Sequence, residues 1–237
     1  MKAEELVARL DWAGIGAQLD QEGYAVIPGL LCESQVRDLA TLHGSANIVA
    51  NLLMSFYRHL APLANRWNDV LDVSHRYPDT LDAFLAQNRE AGQIRSRSDL
   101  TRLRAGEYQA LHQQSDGERV FPLQLVALLS EPGTEFIGGE FVMTEQRPRM
   151  QSRPMVLPLR KGDMAIITVA RRPHKGTKGW YRVNLKHAIA RVRSGERIGL
   201  ELLFHDSVRL PTAGRGLFDH DGLLTTGASR TPVVPNT

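Results

Sequence analysis

Cysteine is almost missing from this chain: Cys32 stands alone among 237 residues. One thiol cannot build a disulfide framework or a CxxC-type zinc site. No apolar run approaches the roughly 20 residues that span a bilayer. The opening MKAEELVARLDWAG carries acids where a signal peptide would carry basic and apolar regions, so the expectation is a cytoplasmic protein without membrane contact. No Gly-Lys-Ser/Thr follows the GGE of residues 138–140, which excludes a phosphate loop there. No internal repeat is visible. Acids are scarce in one place. From Arg147 to Arg197, fourteen Lys and Arg stand against Asp163 and Glu196, a local charge of +12 in a chain of net +3. The remainder therefore sums to −9, so the near-neutrality is a cancellation.

What is present suits a folded protein. With 42% apolar residues and balanced overall charge, disorder is excluded as the main state. Leu6, Val7, Leu10, Ile15 and Leu19 fit a helical stripe that Gly14 and Gly16 weaken. YAVIPGLL (24–31) reads as a short strand closed by Pro-Gly, and helical spacing resumes from Glu33 to Leu42. Ile48, Leu52, Leu53, Phe56, Tyr57, Leu60 and Leu63 mark the clearest amphipathic helix, with a kink or a second segment expected at Pro62. Asp79 to Ala91 predicts another helix, capped by Asp79 or Thr80. After about residue 98 short apolar runs recur between turn signals: FPLQLVALLS, GGEFVMTEQ, MVLPLRKGDMAIITV, YRVNLKHAIARV and IGLELLFHD. Helices followed by strands place the chain in the α+β class. The expected division is a helical region over 1–97, a β core over 98–209 and a tail over 210–237.

Histidines among strands raise the question of a metal. A facial non-haem iron site needs two imidazoles and one carboxylate, leaving three positions for substrate and oxygen. On a strand, residues i and i+2 share a face, so His-x-Asp/Glu can bind one ion. None of the eight His has an acid at +2. The nearest case is LHQQSDG, where His112 and Gln114 share a face and Asp116 lies two further on. His187, in YRVNLKHAIARVRSGER, is the strongest distal candidate. Arg197 follows ten residues later, beyond a turn expected at Ser194-Gly195, and its guanidinium suits a dicarboxylate. His174 competes with His187 but has Asn184 at that spacing. His205 and Glu140 read as structural. In RPRMQSR and RRPHKGTK the basic side chains can neutralise phosphates, and Trp180 or Tyr181 can stack a base. A solvated basic face offsetting the acidic half is the plainer alternative.

The run from Leu111 to Asp206 resembles the 2-oxoglutarate/Fe(II)-dependent oxygenase superfamily. It is most similar to a bacterial family of nucleic-acid (damaged DNA) oxygenases. The likeness is carried by LHQ, FPLQLVALLSEPG, FIGGEFVMTEQRPRMQSRPMVLPLRKGD, RRPHKGTKGWYRVNLKHAIARVRSGER and LLFHD. It implies a double-stranded β-helix (jelly-roll) with an N-terminal helical layer. It also implies Fe(II) held by His112, residue 114 and His187, with 2-oxoglutarate as cosubstrate paired to Arg197. Tyr108 and Asn184 are weaker candidates for cosubstrate contact. The implied reaction couples decarboxylation of 2-oxoglutarate to succinate and CO2 with hydroxylation or oxidative demethylation.

Where the family has Asp, this chain has Gln114. Three outcomes are open: Gln114 coordinates through its amide oxygen, Asp116 substitutes for it, or metal binding and catalysis are lost. The segment between Leu42 and Ser55 also departs from the family, which alters the substrate wall. The expected partner is a small or peptidic substrate, with nucleic acid as the alternative through residues 147–197. A catalytically silent relative binding an anion, and a cupin-like isomerase or lyase, complete the readings.

Overall fold

The helical stripe near the N-terminus is interrupted. The structure, a computed structural model, describes residues 3–42 and 45–208. In it α1 covers Ala3–Ala8 and α2 covers Trp12–Glu22. Asp11 opens α2 by accepting a hydrogen bond from the Gly14 N–H at 3.0 Å, so the two glycines lie inside a helix and the break precedes them. Next come β1 (Tyr24–Ile27), α3 (Glu33–Thr41), α4 (Ser45–Val70) and α5 (Leu81–Glu90). Thr80 caps α5 by accepting from the Ala83 N–H at 3.3 Å, as predicted. α4 runs past Pro62 as one helix, so no second segment begins there. The proline is exposed there, so water can take the carbonyl that its missing N–H leaves unpaired.

The strands are β2 (Gln93–Ser96), β3 (Asp99–Arg104), β4 (Gln109–His112), β5 (Leu123–Leu128), β6 (Phe136–Gly138), β7 (Phe141–Gln146) and β8 (Arg153–Leu157). They continue with β9 (Met164–Thr168), β10 (Arg171–Gly176), β11 (Gly179–Ile189), β12 (Val192–Leu203) and β13 (Asp206–Val208). A major antiparallel sheet has the order β1-β9-β5-β12-β3, with β6 on β12. A minor sheet has the order β10-β11-β7-β8, with β4 on β11. β2 and β13 form a separate pair. The two larger sheets face each other as a jelly-roll. The helical region thus lends β1 to the major sheet. The expected tail lies outside the described residues. One turn is displaced from its predicted place. The chain reverses between Ile189 and Val192, and Ser194-Gly195 is instead an irregularity in the β12–β6 pairing. Gly195 sits at φ 77, where an added Cβ would stand 2.0 Å from the Glu135 carbonyl oxygen.

Residue alternation on the major sheet separates two cores. Leu123, Leu125, Ala127, Met164, Ile166, Leu200 and Leu202 pack against the helices. Val126, Leu128, Ala165 and Ile167 turn the other way, onto Val183, Leu185 and Ile189 of the minor sheet. A strand covered on both faces gains from apolar residues at every position, which explains why β5 and β9 are buried throughout. The outer face of the minor sheet meets solvent, so β7 and β11 largely alternate between buried and exposed. Among the described residues no helix is long and apolar enough to cross a membrane.

Candidate metal centre

The space between the sheets holds polar groups as well as apolar ones. On β12 the alternation that turns Leu200 and Leu202 toward the helices turns Arg197, Gly199 and Glu201 inward. From the facing sheet, β11 contributes His187. β4 lies beside it with His112 directly opposite His187 in register, and the two rings are 4.3 Å apart. Gln113 pins the end of β4 by donating its amide to Leu185 O at 2.7 Å and Ala170 O at 3.2 Å. The His112 Nδ1–H donates to the Ala110 carbonyl at 2.8 Å. That bond leaves Nε2 as the acceptor nitrogen, 3.4 Å from the Gln109 amide nitrogen. Phe141 stacks on His187 at 5.7 Å.

Glu201 completes the group. His112, His187 and Glu201 each offer a ligand atom, all within 4.8 Å of one another. The Glu201 carboxylate stands 3.8 Å from His187 Nε2 and accepts the Gln114 side-chain N–H at 2.8 Å. Gln124 of β5 places its amide nitrogen 3.4 Å from His187 Nε2. Burial alone would raise the Glu201 carboxyl, but the neighbouring His187 and His112 imidazoles and the Gln114 amide outweigh it and hold it below the usual carboxylate range. His112 is lowered, first by burial and then by His187.

Arg197 lies on the same inner face, in a cradle made by two glycines. Its Nε–H donates to the Gly139 carbonyl at 2.8 Å. A Cβ on Gly139 (φ 65) would stand 2.9 Å from its Cδ, and one on Gly199 would stand 2.5 Å from Nη1. Burial pushes the guanidinium down to about 10, against the opposing pull of Glu201. A small cavity between Arg197 and Glu201 is lined by Thr101, Val126, Phe141, Ile189 and Gly199. A larger surface groove between α2 and α4, around Trp12, His59 and Arg66, contains none of these groups.

Five buried atoms in this centre lack a hydrogen-bond partner among the described residues: Gln114 Oε1, Gln124 Oε1, His187 Nδ1, Arg197 Nη1 and Glu201 Oε1. An unpartnered buried polar atom costs about 1–3 kcal/mol. Gathered around the two imidazoles, these atoms offer a ligand several open partners. Two imidazoles and a carboxylate are the donor set of a facial iron site, so the residues fit that metal.

Not every expected residue joins the centre. Asn184 sits on the solvent face of β11, because its parity is opposite to that of His187, and so lies away from the inter-sheet space. Tyr108 precedes β4 and is 53% exposed, outside the buried group. Asp116 pairs with Arg97 at 2.8 Å on the surface. His174 packs edge-on against Tyr181. His205 is buried, with Nε2 2.9 Å from the Gln114 carbonyl, and serves the backbone that presents Gln114. Glu201 lies outside the His-x-Asp/Glu pattern, fourteen residues after His187. Its signal was a lone charge within the apolar IGLELLF, in phase with Arg197.

Comparison with known proteins identifies the family. Residues 42–207 match the model of the Oxygenase-NA family, described as an oxygenase catalysing oxidative methylation of damaged DNA. Two uncharacterized proteins of Mycobacterium tuberculosis, one from each of two strains, are 39% identical over 162 residues, covering 68% of this chain and 70% of theirs. Among solved structures, a 2OG-Fe(II) oxygenase family oxidoreductase from Burkholderia pseudomallei aligns over 84% of this chain and 93% of its own. That alignment has 14% identity and a TM-score of 0.49. A Pseudomonas putida prolyl-4-hydroxylase aligns over 84% and 96%, with 13% identity and a TM-score of 0.45. Extending across most of both sheets and including the histidines, Arg197 and Glu201, the family match places this chain in the Oxygenase-NA family.

Proposed function

We propose that this chain is a non-haem Fe(II)/2-oxoglutarate-dependent oxygenase that hydroxylates or oxidatively demethylates its substrate. The observation that carries the reading is the meeting of His112, His187 and a buried carboxylate with an incompletely bonded Arg197 in one inter-sheet space. His112 and His187 would hold the iron. When bound, Fe(II) supplies a centre at which O2 is reduced by the electrons released as 2-oxoglutarate becomes succinate and CO2, and at which a substrate C–H bond is oxidised.

The protein's own contribution is position and exclusion. Arg197 Nη1 offers a charge-assisted hydrogen bond to the distal carboxylate of the cosubstrate. The Gly139 carbonyl fixes Nε, so the guanidinium cannot swing away when the cosubstrate leaves. Val126, Phe141 and Ile189 line the space beside it and keep water from the dicarboxylate. The test is an anaerobic titration of the full chain with Fe(II) and 2-oxoglutarate. The expected result is a weak visible charge-transfer band and a raised Tm with both ligands. No band and no thermal shift would remove the oxygenase reading.

A second reading, a catalytically silent binder of an anion or nucleic acid, draws on a different surface. The outward positions of β11 carry Trp180, Arg182 and Lys186, with Arg171 and Lys175 beside them on β10, all exposed. Lys175 Nζ lies 5.9 Å from the Trp180 ring centre. A row of cations with one exposed aromatic suits a phosphate backbone and a stacked base. Nucleic acid is compatible with either reading; a small or peptidic substrate is what remains if this face binds none.

A further inference from the structure

We propose that the carboxylate of the metal site has moved from residue 114 to Glu201, and that Gln114 is a positioning residue holding that carboxylate toward the two imidazoles. The inference rests on the oxygenase reading and specifies its ligands.

A divalent ion in a buried site is stabilised by an anionic protein ligand, because burying an uncompensated double charge is costly. An amide at 114 is neutral and supplies no such charge. Among the described residues Glu201 is the carboxylate that shares a ligand cluster with His112 and His187. It arrives from the opposite sheet, on β12, and not from the segment that follows His112. Ligand atoms about 2.1 Å from one ion stand roughly 3 Å apart when adjacent. The three groups already lie within 4.8 Å of each other, so side-chain adjustment closes the set.

Gln114, two residues beyond the end of β4, turns its amide donor to Glu201 at 2.8 Å. An amide can do this and an ionised carboxylate cannot, since a second carboxylate would repel the first. The exchange is therefore coupled: with Glu201 in the centre, residue 114 works as a donor. A carboxylate has about four acceptor sites, and Glu201 Oε1 has no partner among the described residues. Accepting the Gln114 bond leaves capacity for an ion. The Gln114 backbone carbonyl is anchored by His205, which fixes the donor from behind.

The experiment measures anaerobic Fe(II) affinity by calorimetry and the absorption spectrum of the Co(II)-loaded protein, with metal-free Tm as a folding control. The parent is compared with Glu201→Gln, Gln114→Leu, Gln114→Asp and the double exchange Gln114→Asp/Glu201→Gln. Glu201→Gln is expected to weaken Fe(II) binding by at least about 100-fold while remaining folded. Gln114→Leu is expected to weaken it by about 10–100-fold, the range for a residue that orients a ligand, and to alter the Co(II) spectrum with little change in metal-free Tm. The double exchange is expected to recover most of the affinity, which also covers the case in which either single variant folds badly. If the parent binds metal and Glu201→Gln binds it equally well, the proposal is overturned. Should Gln114→Leu then lose binding, the amide oxygen is the ligand. If neither the parent nor the double exchange binds Fe(II) or Co(II), the oxygenase reading falls with it.

Discussion

Arg197 depends on two residues that have no side chains. Gly139 occupies a left-handed conformation against the arginine stem, and its carbonyl accepts the Nε–H. Gly139→Ala adds about 1–2 kcal/mol of backbone strain and forces the stem aside. Gly199→Ala meets Nη1 without requiring a left-handed backbone. Both changes should weaken 2-oxoglutarate binding by roughly tenfold or more, the worth of one charge-assisted hydrogen bond, with the larger fall in Tm for Gly139→Ala. Equilibrium binding of 2-oxoglutarate and thermal melting check the pair; unchanged affinity in both would remove Arg197 from the cosubstrate site. The sequence showed Gly138-Gly139 only as a turn or bulge, because nothing local reveals that a residue 58 positions later will lie against it. Gln124 was similarly visible only as one polar residue inside FPLQLVALLS. In a strand buried on both faces such a residue has a specific partner, here His187.

Among the elements, the join between α2 and the minor sheet is the most exacting. Arg172 of β10 is fully buried. It donates to the carbonyls of Asp20 and Gln21 near the end of α2, at 2.6 and 2.8 Å, and to the Glu145 carboxylate on β7. Arg147 approaches the same carboxylate at 2.8 Å. Burial works against the charge on Glu145, yet Arg147 and Arg172 outweigh it and hold the carboxyl below its ordinary 4.5. A depressed native value means that the unfolded chain binds the proton first. The stability from Glu145 is therefore present above about pH 4.5 and is lost as pH falls through the lower native value. Arg172→Met should cost about 3–5 kcal/mol, because it leaves a buried carboxylate with a reduced set of partners. Glu145→Leu/Arg172→Met should recover part of that and flatten the acid limb. Urea unfolding at pH 7 and pH 4 measures both; equal pH dependence in the parent and the double variant would contradict the assignment. These two basic residues belong to the +12 stretch but serve packing, which composition could not show. The strands themselves were legible, since their apolar runs and turn signals are local, whereas the burial of Arg172 is decided by α2, some 150 positions away in the chain.

At the scale of the whole molecule, exposed positive charge gathers on the outer face of the minor sheet, at Arg171, Lys175, Arg182 and Lys186. If the outer sheet face meets nucleic acid, binding of a single-stranded oligonucleotide should weaken steeply with salt, by about 0.7 logarithmic units per decade for each phosphate neutralised. Trp180→Ala should lower affinity at all salt concentrations with little change in that slope, whereas Arg182→Ala/Lys186→Ala should reduce the slope. Fluorescence anisotropy across a salt series separates these effects, and salt-independent or absent binding would reject the partner. Strand order carries another consequence, for the time course of folding. β12 lies between β3 and β5, although it is made about 70 residues after β5. Until it emerges during synthesis, β3 lacks the strand it pairs with and β5 keeps an open edge, both prone to pairing with other chains. The strand that carries Arg197 and Glu201 is thus also the one that closes the sheet, so a nascent chain that has not inserted it lacks both the finished barrel and the carboxylate that faces His112 and His187.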